Sequence, residues 1–466
     1  MTAVFAETGP FMLRALDAVR GRWLPLWIYL LSYTATTALG GLYFMTSPGK
    51  ADLLALLGEP VRKVEWVIAS PTYLAVLLLP FFVVPVAAVF GAWVTRNVIP
   101  RRQLSDVPAS FFVIGLLAVV AIAYCVFRLR REGSLLPDLT VDFRANILER
   151  VRLFDALGPI FYIMLYGILP MTAVMFLARL LRWHKIVDLV GFLVTFAAVY
   201  FFIFDTLAKS HLLVFSLMLI AVVLLSRVSI WLVPVLLVVS GLAFTLTDYA
   251  LTGRAVAKLQ GIAITESPKQ PVPELKKEIE AAPQKTPEAS PSTILRGPPV
   301  NPAVNPIKNI IFRMSTPLPF YVSIFEDPAE RCGIEAHSVR RVLGLGPSAC
   351  TLPIKVFAAM WPDIHWTTGF APAAAHISAF GEAGLAWSVI VLIIAGFCLG
   401  AIGELATLGK GVIFVAIGAA GCTFAYYLTQ LPLIAAFTYG HGLAFLLLPV
   451  IVTGAVGLGM KYARAG

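Results

Sequence analysis

Charge is scarce in this chain. Only 13% of its 466 residues are Asp, Glu, Lys or Arg, against roughly 25% in an average soluble domain. With 59% of the residues hydrophobic and a mean hydropathy of +0.85, so few charges cannot clothe a water-exposed surface. A soluble globular fold is excluded. There is also no Walker loop, no GxGxxG after a strand, no HExxH and no metal-spaced His/Cys cluster, which argues against an ATP-driven pump and a metalloprotease. Neither a cofactor nor a metal is expected. The five cysteines, at 125, 332, 350, 398 and 422, include no CxxC; three lie in apolar runs, where cysteine acts as a small buried hydrophobe. The first 22 residues lack an apolar core ending in a small-residue cleavage site, so no cleaved signal peptide is expected.

Long apolar runs are abundant. About 20 helical residues cross ~30 Å of hydrocarbon, and in lipid only helices and closed barrels satisfy their own backbone. Ten spans can be read, near 24–46, 69–94, 108–127, 159–180, 186–207, 211–226, 229–250, 384–403, 411–431 and 440–460. The expected fold class is therefore an all-α polytopic membrane protein of about ten transmembrane helices, with one large periplasmic loop between helices 7 and 8. Residues 1–251 would hold helices 1–7, residues 252–373 the loop, and residues 374–466 helices 8–10. Ten spans put both termini on one side. With that side inside, the short inner segments carry thirteen lysines and arginines and the short outer ones ten, so the positive-inside rule gives this orientation a modest preference.

The net charge of +10 is carried by basic residues lying between the apolar runs, without an aromatic-basic platform or zinc spacing. Nucleic acid is not an expected partner; membrane lipid headgroups or an anionic lipid-linked substrate are. Within 138–157, Ile147, Leu148, Val151, Phe154 and Leu157 form an apolar stripe at helical spacing, which suits either an interfacial helix lying on the membrane or a solvated helix capping the bundle. In the large loop, 267–306 holds ten prolines and almost no large apolar residue, a composition that cannot offset the entropy of ordering. From 309 to 373 aromatic residues return, interleaved with arginines, and this part should fold against the outer face of the bundle.

Arg313, Arg331, Arg340 and Arg341 all fall in that second part. A guanidinium fork holds diphosphate oxygens in pairs, which a lysine cannot do. The bland alternative is pairing with Glu326, Asp327, Glu330 and Glu335. His337, His376 and Glu382 are the candidates for taking a proton near the membrane surface, set against ordinary structural hydrogen bonding. Asp205, Lys209 and His211 cluster where the fifth span turns into the sixth; ionisable groups at membrane depth suggest function, while Asp205 and Lys209 at four residues' separation could pair with each other. Cys332 and Cys350 would be oxidised in a periplasm if held at bonding distance.

The run Thr367-Thr368-Gly369-Phe370-Ala371-Pro372, followed by Phe380-Gly381-Glu382-Ala383-Gly384, resembles the O-antigen and exopolysaccharide repeat-unit polymerases, in which a long outer loop ends on an FGxxG-type start of the next span. Lys209-Ser210-His211-Leu212-Leu213 is similar to the head of the sixth span there, with Lys-Ser-His where the family often carries Ser-Arg, and Arg313 before Met314-Ser315 is similar to a loop arginine of that family. The resemblance implies a bacterial inner-membrane glycosyltransferase. Its substrate would be an undecaprenyl-diphosphate-linked glycan and a further partner a chain-length regulator protein. It also implies catalytic roles for His376, Glu382 or His337, and diphosphate binding by Arg313, Arg340, Arg341, Arg331, Lys209 and His211. An O-antigen ligase and a lipid-linked oligosaccharide flippase are the competing readings. Discontinuous helices in paired repeats would favour the flippase, and the sequence has no internal repeat.

Overall fold

The structure, a computed structural model, describes residues 21–99, 107–132, 152–153, 156–206, 209–226, 232–248, 314–333, 350–362, 370–409, 411–439 and 441–463; among these every regular element is a helix. Most of 138–157 and all of 267–306 lie outside them. Helix α1 (Leu24–Tyr33) continues through a π-helical turn, Thr34–Ala38, into α2 (Leu39–Tyr43). Next come α3 (Ser47–Leu57) and α4 (Glu59–Val64), then the long α5 (Pro71–Val98) and α6 (Phe111–Glu132). The third long helix, α7, runs Ala156–Trp183 with a π turn at Met164–Ile168. Helices α8 (Ile186–Asp205), α9 (Lys209–Leu225) and α10 (Leu232–Asp248) complete the first part. Three short helices follow, α11 (Leu318–Phe325), α12 (Leu352–Met360) and α13 (Ala375–Ala383). The chain ends with α14 (Leu385–Thr407), α15 (Val412–Leu428), α16 (Leu433–Thr438) and α17 (Leu443–Ala463).

The fold is that of an α-helical polytopic membrane protein. Six helices among the described residues are long and apolar enough to cross a membrane: α5, α6, α7, α8, α14 and the stretch Leu433–Ala463. The other four expected runs are also helical but shorter or interrupted. Seventeen residues at 1.5 Å each reach about 26 Å, just under the ~30 Å of hydrocarbon. Phe112 is 84% exposed and Val86 73%; apolar side chains turned outward along such helices face lipid, where exposure costs nothing.

Local chemistry sets the helix ends. Ser70 caps α5 by accepting from the Tyr73 amide at 3.1 Å, and Pro71 follows at the first helical position, where its missing N–H is harmless. His184 takes a left-handed conformation, φ 53°, and turns α7 into α8. Arg179 and Asp188 lock that corner: Nε donates to Oδ1 at 2.7 Å, a second guanidinium nitrogen reaches the Ala109 carbonyl, and both side chains are buried. Helices α5 and α14 approach so closely that a Cβ at Gly91 would overlap the Phe397 carbonyl, and one at Gly400 the Ala88 carbonyl. Small residues at such a seam let backbones pack where lipid offers no hydrophobic drive.

Following the helices from one end to the other defines two ends of the bundle. At the near end lie Arg22, Arg96, the α7–α8 corner and Glu404. At the far end lie α3, α4, the loop helices α11–α13, and the junctions of α8 with α9 and of α16 with α17. A second core closes the far end, joining Phe44, Leu53, Val64 and Tyr73 to Phe320, Phe325, Val356 and Phe380.

Candidate functional site

The far end carries the candidate site. Its frame is the irregular segment 331–333, which lies along the end of α13: the Cys332 amide donates to the Gly381 carbonyl at 3.2 Å and the Gly333 amide to the Glu382 carbonyl at 2.9 Å. A disulfide joins Cys332 to Cys350, with Cα atoms 5.5 Å apart, and so ties the start of α12 to α13. Thr72 at the head of α5 donates to Glu326 at 3.0 Å, and Tyr321 to the Ala371 carbonyl at 3.1 Å. The loop helices are thereby fastened both to each other and to the bundle.

Glu382 is half-buried near the C-terminus of α13, and the Trp387 indole donates to its Oε2 at 2.9 Å. Burial raises its carboxyl from the usual 4.5 to about 7, against the opposing effect of the Trp387 hydrogen bond. A carboxyl poised there is about half ionised at neutral pH, which suits a group that must accept a proton. Gly384, at φ +85°, turns α13 into α14, and a Cβ on it would meet the Arg331 guanidinium. Both requirements select glycine at this position.

Arg331 is anchored from the opposite side. Its Nε donates to the Phe325 carbonyl at 2.9 Å and its Nη2 to the Glu326 carbonyl at 3.1 Å, closing the C-terminus of α11, where the helix dipole favours a cation. Its guanidinium also lies 5.9 Å from the Phe380 ring centre. Two of its donors are therefore committed to the fold.

His376, six residues before Glu382, is fully buried. Its Nε2 donates to the Val76 carbonyl at 3.1 Å and approaches the Tyr33 hydroxyl at 3.3 Å; that hydroxyl itself donates to the Leu77 carbonyl, and the His376 Nδ1 has no partner. Burial lowers its pKa from 6.5 to about 3, against the raising effect of the Val76 bond. The ring is thus a neutral strut between α13, α1 and α5, out of reach of solvent.

His211 lies elsewhere at the far end. Its ring stacks on Tyr166 at 3.8 Å, and its Nε2 stands 3.3 Å from Nδ1 of His441. Tyr166, His211 and Tyr427 line a small pocket with Pro170, Ile203 and Met218. The structure brings Glu382 and Arg331 to one junction and places His211 in this separate aromatic cluster. The side chain of Lys209 and the whole of Arg313, His337, Arg340 and Arg341 lie outside the described residues. Asp205 is fully buried at the end of α8.

Sequence reasoning missed His441 and Glu404. Glu404, 1% exposed, lies 3.5 Å from Arg22 and 3.4 Å from Arg96 and joins α14 to the start of α1 and the end of α5. The signal for both was the same: an ionisable residue at the edge of an apolar run. No protein-family model, curated protein or solved structure matches the chain.

Proposed function

We propose that the chain is a membrane-embedded glycosyltransferase that joins undecaprenyl-diphosphate-linked oligosaccharide repeats, working at its far end on the outer face of a bacterial inner membrane. The observation that carries this reading is Glu382, a half-buried carboxyl raised to about 7 where the loop helices meet the bundle. In the reaction, an acceptor sugar hydroxyl attacks the anomeric carbon of the donor glycan. The bond from that carbon to the diphosphate oxygen breaks, its electron pair leaves with undecaprenyl diphosphate, and the hydroxyl proton passes to Glu382.

The departing diphosphate needs fixed cations, since an anion released beside lipid is costly without them. Arg313, Arg340 and Arg341 are assigned that role, with Arg331 holding the frame. His376, being inaccessible, is assigned to structure. The Cys332–Cys350 disulfide supports an outward-facing far end, because such bonds persist in oxidising compartments.

Glu382→Gln keeps an acceptor for Trp387 but removes the base. Chain growth should fall by about 10²- to 10⁴-fold at unchanged membrane abundance, the usual range for losing a general base. In cells, the expected product of the variant is glycan of a single repeat. Unligated long polymer would point to a ligase instead, and loss of outward transfer to a flippase. Normal polymer length would sink the assignment.

A further inference from the structure

We propose that His211 and His441 together form a proton-binding site at membrane depth, a two-ring unit that takes up one exchangeable proton and holds it jointly. This does not rest on the transferase reading. The geometry begins with the π turn Met164–Ile168, which sets Tyr166 against His211; π turns of this kind recur at functional positions. The rings meet through Nε2 of His211 and Nδ1 of His441, 3.3 Å apart. One of these two nitrogens must carry the hydrogen that lies between them.

That choice fixes the rest. With the shared hydrogen on His211 Nε2, neutral His211 has a bare Nδ1 and neutral His441 carries its hydrogen on Nε2. With it on His441 Nδ1, the outer hydrogen sits on His211 Nδ1, 3.5 Å from the Ser210 hydroxyl, and His441 Nε2 is bare. A proton added at either outer nitrogen therefore moves the shared hydrogen across, so the added charge is held by the two rings jointly. His441 Nε2 is buried without a partner, as is the neighbouring Tyr427 hydroxyl.

Burial of His441 opposes a charge on the pair, and the aromatic faces around it offset that in part. Tyr166 covers His211 at 16° between planes, and Tyr427 lies 4.2 Å from His441 at 34°, so both rings present π faces to a shared positive charge. Among the described residues, the titratable and charged groups around the pair are Tyr162 and Tyr166 on α7, Tyr426 and Tyr427 on α15, and Tyr439 beside His441, with Asp205 buried at the end of α8. Tyr166 donates to or accepts from Thr206, the residue after Asp205, at 3.4 Å. A second added proton would place two like charges on adjacent rings, so the pair takes up one proton and not two.

The test is nitrogen-15 NMR of the full chain, histidine-labelled and held in lipid nanodiscs, titrated from about pH 9 to about pH 4. His211→Gln and His441→Gln assign the two rings among the six histidines. The expected result is that both rings shift together with a single midpoint, for one proton in total, and that either substitution abolishes this joint transition. Tyr166→Leu, which removes the stacked face and leaves the nitrogen contact, should move the midpoint to lower pH. Should the histidine variants fold poorly, the two rings are recognised in the wild type by the nitrogen–nitrogen correlation across their shared hydrogen, and their titration decides. Rings that stay neutral throughout, or that charge at separate midpoints, would overturn the proposal.

Discussion

Glu382 and His376 sit six residues apart, on one short helix, and burial moves them in opposite directions. The Glu382 carboxyl lies at about 7 in the fold and 4.5 ordinarily, so between those values the native chain keeps a proton that the unfolded chain has released; stability falls as pH rises through this window. For His376, at about 3 in the fold against 6.5, the unfolded chain holds the extra proton, and stability falls as pH drops below about 6.5. From about 4.5 to about 6.5 the two slopes oppose each other. Glu382→Gln should therefore expose the histidine slope, with thermal stability in detergent dropping on acidification. His376→Asn should expose the carboxylate slope, a loss on raising the pH to about 7 worth roughly 1–3 kcal/mol after allowing for the partial exposure of Glu382. Curves parallel to the wild type in both variants would remove the basis for treating either residue as perturbed. At this scale the sequence was partly legible. Glu382 could be named from its place before an apolar run, but nothing local foretold that Tyr33 and Val76, more than 290 residues earlier, would enclose His376. His441 escaped notice for a related reason: its partner His211 is 230 residues away.

The apolar runs were readable as elements because lipid forces about 20 consecutive apolar residues into helix, a signal that needs no tertiary information. The π turns at Thr34–Ala38 and Met164–Ile168 were not readable, since one extra residue in a helical turn is decided by what packs against it. Buried pairing at element ends was likewise hidden, and it gives the sharpest stability tests. Asp188→Ala leaves the Arg179 guanidinium buried without its carboxylate and should cost about 3–5 kcal/mol, seen as a large drop in melting temperature or loss of folded protein. A near-wild-type melt would mean the pair does not fasten the α7–α8 corner. Replacing Gly400 by Leu should separate α5 from α14 and abolish the folded state, whereas Leu at Gly115, where a Cβ would meet nothing within 4 Å, should be tolerated. The Cys332–Cys350 bond closes a separation of 18 residues and should contribute about 3 kcal/mol; Cys332→Ser with Cys350→Ser should lower the melting temperature of the oxidised protein to that of the reduced wild type.

For the molecule as a whole, helix connectivity separates a near end, held by Arg22, Arg96 and Glu404, from a far end closed by α3, α4 and the loop helices. The count of basic residues between spans discriminated weakly between the two orientations, since lysines and arginines occur at both ends and several of them, such as Arg179 and Arg128, serve internal contacts instead of the membrane surface. A cysteine introduced at Ser290 should react from outside with a membrane-impermeant thiol reagent; reaction only after the membrane is permeabilised would reverse the orientation and put Glu382 on the wrong side for the proposed chemistry. Transfer by Glu382 is read out in purified chain in nanodiscs supplied with undecaprenyl-diphosphate-linked repeat units, following glycan length and free undecaprenyl diphosphate together. Wild-type protein should release one lipid diphosphate for each repeat added, and Glu382→Gln should do neither. Absence of both chain growth and diphosphate release with the wild type, or full activity of Glu382→Gln, would contradict the proposed transfer.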